Sequence, residues 1–178
     1  GLGSATIAGL RCGLKIGYRN LITMDADFSH SPRYLPDLLA WIDRSDLVIG
    51  SRYCAGGAIE GWPFERRVTS RLLNMAARTI LRLPIRDCSG AFRCYRADIL
   101  EKIDLDVIQA TGYAYLEEIL WHLKRAGARF TETPITFIDR RHGKSKINAR
   151  EAIEALGTII GLGLKSLFRR HRPIRLLS

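Results

Sequence analysis

Two short apolar runs, Leu21-Ile22-Thr23-Met24 and Leu47-Val48-Ile49-Gly50, bracket a stretch that opens at Pro32 and keeps helical spacing to about Arg44. A strand that is apolar on both faces must be covered on both, as in a sheet with helices on either side. A further helix precedes them, with Ile7, Leu10, Leu14 and Ile16 at helical spacing from Ala5 to Ile16 and Gly17 to close it. The alternation predicts an α/β fold with a mostly parallel sheet and flanking helices. In such sheets ligands bind outside the carboxyl ends of the strands. The first run stops at Asp25-Ala26-Asp27, so two carboxylates stand at such an end.

Farther along, Ala55 to Pro63 is rich in turn formers and contains Trp62, and reads as a functional loop. Arg66 to Leu81 has an apolar face of Leu72, Leu73, Ala76, Ile80 and Leu81, and predicts a helix. Asp87-Cys88-Ser89-Gly90 is a loop leading into Ala91-Phe92-Arg93-Cys94-Tyr95, and Tyr113 to Arg125 is helical again. Phe130–Thr133 and Ile135–Ile138 alternate like strands broken by Pro134, and a polar loop from Arg140 to Lys146 follows. From Ala149 to Phe168 the residues Ile153, Leu156, Ile159, Ile160, Leu164 and Leu167 form a helical stripe, with Lys165, Arg169, Arg170, Arg172 and Arg175 behind it. Such a helix can lie in a lipid interface or pack on the core and end in a solvated basic tail.

A chain of 178 residues is expected to form one domain, with 1–148 as its α/β body and 149–178 adding the amphipathic helix and basic tail. Lys and Arg outnumber Asp and Glu by 28 to 18, which points to an anionic partner. From Asp139 onward ten basic residues face three acids, so +7 of the net +10 lies there. Cys12, Cys54, Cys88 and Cys94 lack zinc-ligand spacing and read as reduced thiols of a cytosolic protein. The start, Gly1-Leu2-Gly3-Ser4-Ala5, is unlike a signal peptide, and no run of twenty apolar residues occurs. Contact with a membrane would be peripheral.

Asp25 and Asp27, separated by one small residue, can aim two hard oxygen ligands at one cation of the Mg²⁺ or Mn²⁺ type, completed by substrate phosphate and water. Acidic pairs also decorate many loops, so spacing alone leaves this open. Arg93 and Arg140 could equally be strand-end surface charges, Trp62 a core residue, and Ser89-Gly90 a plain turn. His30, His122 and His142 have no metal spacing and read as packing or surface residues.

The run Met24-Asp25-Ala26-Asp27-Phe28-Ser29-His30 resembles the dolichol-phosphate and polyprenol-phosphate mannosyltransferases of glycosyltransferase family 2. The resemblance continues in order through Gly50-Ser51-Arg52-Tyr53, Gly56-Gly57, Trp62-Pro63, Asp87 to Arg93, Gly112-Tyr113, Pro134 to Phe137 and Arg140 to Lys146. It implies a GT-A (Rossmann-like) fold and transfer of mannose from GDP-mannose to a polyprenyl phosphate, metal-dependent and inverting. Relatives that use UDP-glucose keep glucose open as an alternative.

By that resemblance Asp25 and Asp27 would hold the metal, with Asp27, Arg93 and Glu118 in catalytic roles. Arg52, Ser89, Arg93, Arg140 and Lys146 would meet donor or acceptor phosphate, and the loop around Trp62 would face the lipid. The family's sequences begin upstream of Gly1 with strands that grip the nucleotide. This implies that the N-terminal strands are absent, and that the chain is a fragment or an inactive subunit completed by a partner chain. An anionic, cytoplasmic membrane surface is the expected location. Nucleic acid is not an expected partner, because basic residues do not interleave with stacking aromatics.

Overall fold

The computed structural model describes residues 1–110, 112–139 and 149–168. Helix α1 (Leu2–Ile16) buries Ile7 and Leu10, and Gly17 ends it at φ 91, with the amides of Gly17 and Tyr18 donating back to Leu14 and Gly13. This left-handed closure is cheap only for glycine. The chain continues through β1 (Asn20–Thr23), a 3₁₀ turn (Pro32–Tyr34), α2 (Leu35–Ile42), β2 (Leu47–Ser51), β3 (Ala58–Glu60), α3 (Phe64–Ile80) and β4 (Arg93–Arg96). It ends with α4 (Ala97–Leu100), a second 3₁₀ turn (Leu105–Val107), α5 (Tyr115–Arg125), β5 (Phe130–Pro134), β6 (Thr136–Ile138) and α6 (Ala149–Phe168).

The main sheet has the order β1-β4-β2-β5. Strand β4 is antiparallel to both β1 and β2, whereas β2 and β5 are parallel. Three strands thus share one direction and β4 alone runs against them. Period-two geometry then sorts the side chains. Leu47, Ile49 and Tyr95 enter the larger core with α1, α5 and α6, while Val48, Cys94 and Phe92 pack with Leu38 and Ile42 of α2 on the other face. This two-sided cover explains why all of β2 is buried.

The stretch from Ala55 to Pro63 is not loop throughout, since β3 lies within it and pairs in parallel with β6. Pro134 and Ile135 mark the place where the chain leaves the main sheet for this ribbon. The two long helices correct their expected apolar faces. On α3 the buried positions are Asn74 and Ala77, while Leu72 and Ile80 are exposed. On α6 the core face is Ala155, Ile159 and Leu162, and Ile153 (70% exposed), Leu156, Ile160, Leu164 and Leu167 (63% exposed) point outward. No helix among the described residues is long and apolar enough to cross a membrane.

Candidate functional site

Because β4 is reversed, its first residues lie at the same sheet edge as the carboxyl ends of β1, β2 and β5. Asp25 and Asp27 follow β1, Ser51 and Arg52 end β2, and Gly90 to Phe92 enter β4. The hydroxyl of Thr23 donates to the Ala91 carbonyl (2.7 Å) and ties the first and last of these segments together.

The carboxylate loop is held from below by a histidine. His30 is buried, stacks on Phe92 (centroids 5.1 Å apart) and meets Phe137 edge-on. Its Nδ1 accepts the Asp25 amide (3.0 Å), so the proton of the neutral ring is on Nε2. Burial holds its pKa below the ordinary imidazole value, against the pull of Asp25. One Asp27 oxygen accepts the Ser29 amide (3.1 Å) and also the Ser29 hydroxyl. This Asx turn puts Phe28 at φ 66, a conformation uncommon for a bulky residue, with its ring almost fully in solvent.

The neighbouring loop, Asp87 to Gly90, is built on buried charge. Asp87 Oδ2 accepts from the Arg52 amide (2.9 Å) and Nε (2.8 Å), and Oδ1 accepts from Nη2 (2.7 Å). Burial works to raise the Asp87 pKa, but the Arg52 guanidinium outweighs it and holds the carboxyl below the usual range. Ser89 Oγ receives Arg52 Nη2 (2.9 Å) and Asn74 Nδ2 (3.0 Å), and the Asn74 carbonyl oxygen caps the amides of Cys88 (2.6 Å) and Ser89 (3.1 Å). Glu132 of β5 accepts the amides of Arg86 and Asp87 (2.9 Å each).

Arg93 is fully buried, and it donates to the carbonyls of Gly90 (2.7 Å), Cys88 (2.7 Å) and Leu116 (3.0 Å). Its guanidinium braces the loop from beneath in this structure, where the sequence led to an expected phosphate contact. Glu118 is also turned inward, its Oε2 accepting the amides of Gln109 (3.0 Å) and Ala110 (2.8 Å). In this structure it anchors a loop. Trp62 is only 5% exposed and packs edge-on against Phe137, with the Arg66 guanidinium 3.9 Å from its ring centroid. It fastens the loop from within. Arg140 and Lys146 lie outside the described residues.

Beside this network a cleft of about 530 Å³ runs along α3. Arg52, Arg71, Arg78 and Arg86 line it with Asn74 and Met75, and no acid lines it among the described residues. Asp25 and Asp27 are not in its wall. The site therefore has two parts, a carboxylate loop and an arginine-lined cleft, and Arg52 links them: it lines the cleft, and its charge is felt by His30 together with those of Asp25 and Asp27.

Residues 1–104 match the profile of glycosyl transferase family 2. The chain belongs to this family. It is 43% identical over 164 residues to an undecaprenyl-phosphate mannosyltransferase of Micrococcus luteus, with 92% of this chain and 68% of that protein covered. It is 39% identical over 175 residues to a polyprenol monophosphomannose synthase of Mycolicibacterium smegmatis, covering 98% and 66% of the two chains. This family 2 chain thus spans about two thirds of the length of these relatives.

The donor set of the carboxylate loop fits a hard divalent cation. Two carboxylates stand in one turn, and among the described residues no group of three His, Cys, Asp or Glu side chains is placed to hold a metal by itself. A cation there would draw its other ligands from water and substrate phosphate, the usual habit of Mg²⁺. Sequence reasoning missed His30, Asn74 and Glu132 as parts of the site. The available signal was local: a histidine three residues after Asp27, and a lone amide among the apolar positions of α3.

Proposed function

We propose that this chain is the catalytic core of an enzyme that transfers mannose from GDP-mannose to a polyprenyl phosphate, with inversion at the anomeric carbon. The observation that carries the reading is the pairing of the Asp25-Ala26-Asp27 loop with a neighbouring cleft rich in arginine and, among the described residues, without acids. The two relatives give the direction, since one is named for mannosyl transfer to undecaprenyl phosphate and the other for making polyprenol monophosphomannose. Asp25 and Asp27 would hold Mg²⁺ or Mn²⁺, and the ion would neutralise charge on the departing diphosphate.

An acceptor phosphate monoester already carries roughly −1.5 to −2 charges at neutral pH, so its oxygen needs no general base. That oxygen forms the bond to the anomeric carbon while the bond from carbon to the diphosphate oxygen breaks and the electron pair leaves with the diphosphate. The chain's task is to align the two anions and offset their charge. A neutral, buried His30 suits this role, because it fixes the carboxylate loop without taking the proton. Asp27→Asn should lower transfer about 100-fold, since an amide cannot supply the anionic ligand. Undiminished transfer by that variant, or full activity in excess chelator, would remove the metal from the account.

The acceptor phosphate is assigned to the arginine-lined cleft. Its lipid chain then lies on the outward apolar face of α3, where Phe64, Val68, Leu72 and Met75 are exposed at helical spacing. With the outward face of α6, this surface supports peripheral binding at the cytoplasmic face of a membrane. Arg71→Gln with Arg78→Gln should raise KM for the lipid acceptor about tenfold, from lost charge-assisted hydrogen bonds, and leave KM for the nucleotide sugar nearly unchanged. Equal effects on both constants would move the acceptor elsewhere.

A further inference from the structure

A second groove, of about 410 Å³, lies where the C-terminal ends of α3 and α5 meet the last turns of α6. Its floor is apolar, with Trp121, Ile160 and Leu164. Its rim carries Arg82, Lys124 and Arg125, and no acid lines it among the described residues. The parts are held in place. Trp121 Nε1 donates to Ser166 Oγ (2.7 Å), and the Arg125 guanidinium rests 4.8 Å from the Trp121 ring centroid. Lys124 Nζ donates to the carbonyls of Leu81 (2.8 Å) and Arg82 (2.7 Å), which keeps its charge at the rim. Gly163 lets α6 approach, because a methyl group there would overlap Ile80.

Cations at two helix C-termini answer the partial negative charge of those ends. That does not explain the apolar floor beside them, nor its continuity with the exposed residues Ile160, Leu164 and Leu167. Cations on a rim above an apolar floor are complementary to an anionic amphiphile, and the volume falls within the usual range for a ligand site. We propose that this groove binds one anionic phospholipid of the bilayer, with the phosphodiester at Arg82 and Arg125 and the first part of an acyl chain on Trp121 and Leu164. The proposal rests on the peripheral-membrane reading above and concerns a place distinct from the acceptor cleft.

The test uses the whole chain with vesicles of phosphatidylcholine, with or without phosphatidylglycerol, spiked with a diazirine-acyl analogue of either lipid. After photolysis the adducts are located by peptide mass spectrometry. Adducts on Trp121, Ile160 or Leu164 should form with the phosphatidylglycerol probe and be displaced by unlabelled phosphatidylglycerol. The double variant Arg82→Asn, Arg125→Gln should reduce them roughly 30-fold, since each cation near an anionic surface contributes about fivefold. Asparagine is chosen at position 82 because Arg82 sits at φ 53, which asparagine tolerates. Equal labelling by both probes, labelling unaffected by the double variant, or displacement only by polyprenyl phosphate or inorganic phosphate would each overturn the proposal. Sedimentation with vesicles but no adducts in the groove would overturn it alone. No sedimentation with any vesicle would overturn the membrane reading as well.

Discussion

Asp87→Asn should lower the free energy of unfolding by about 3–5 kcal/mol at neutral pH, the cost of leaving a buried charge without its partner. The residue left behind is Arg52, which loses both an ion pair and a two-oxygen acceptor while it stays enclosed. Urea titrations at pH 7 measure the loss. The combined variant Arg52→Gln, Asp87→Asn should lose less than the sum of the two single changes, because no lone charge then remains. The pH dependence follows from the depressed Asp87 pKa. Its contribution is complete above the unfolded value of about 4 and is lost as the pH falls through the folded value. A single variant within about 1 kcal/mol of wild type would show that the pair is not what holds the loop, since an ordinary surface ion pair contributes no more than that.

Glu117 should do the opposite. It is buried, its Oε2 finds no hydrogen-bond partner among the described residues, and burial raises its pKa to about 7. Below about pH 4.5 both folded and unfolded forms hold the proton, and Glu117 carries no penalty. Between there and pH 7 the unfolded chain releases the proton first, so stability declines by about 1.4 kcal/mol per unit, or about 3 kcal/mol in all. Glu117→Met, similar in volume and apolar, should therefore be about 3 kcal/mol more stable than wild type at pH 8 and nearly equal to it at pH 4. Unfolding midpoints at those two pH values decide it. Parallel pH curves for the two proteins would mean that Glu117 ionises without penalty, through a partner yet to be found. The nearby buried charge is Arg93, which favours the ionised form but does not overcome burial.

What could be read from the sequence followed from periodicity. Helix α6 spans Ala149–Phe168 as expected, and the buried runs at Leu21 and Leu47 are strands β1 and β2, because a two-sided core demands a pattern that composition makes visible. The same patterns could not tell which apolar face of α6 is inward: both of its stripes repeat at helical spacing, and only contacts with α3 and α5 choose Ala155, Ile159 and Leu162. The reversal of β4 was equally hidden, since a four-residue strand carries no sign of direction. The position of Asp25 and Asp27 after β1 was legible, because it depends on one strand end. The surroundings of Arg93, Glu118 and Trp62 were not. Charge and a polar tip suggest an outward residue, but Arg93 and Trp62 are buried against Leu116 and Phe137, distant in sequence, and Glu118 turns back onto the amides of Gln109 and Ala110, and spacing does not encode these contacts.

The position of β4 has a consequence for how the molecule comes into being. Every strand pair of the main sheet joins a segment that ends by Ser51 to one that begins at Arg93 or later, and the β3–β6 ribbon closes a loop nearly as long as that between β2 and β5. None of these pairs has a local hairpin to start from. Among the described residues, β1 and β2 therefore meet β4 only once the chain has grown past Arg96, and β3 meets β6 only once it has grown past Ile138. Loop closure is completed before the pairing that rewards it, which slows folding and leaves apolar edges open to wrong partners in the interval. Helices α1, α2 and α3 are built on local contacts and can form before these pairings close.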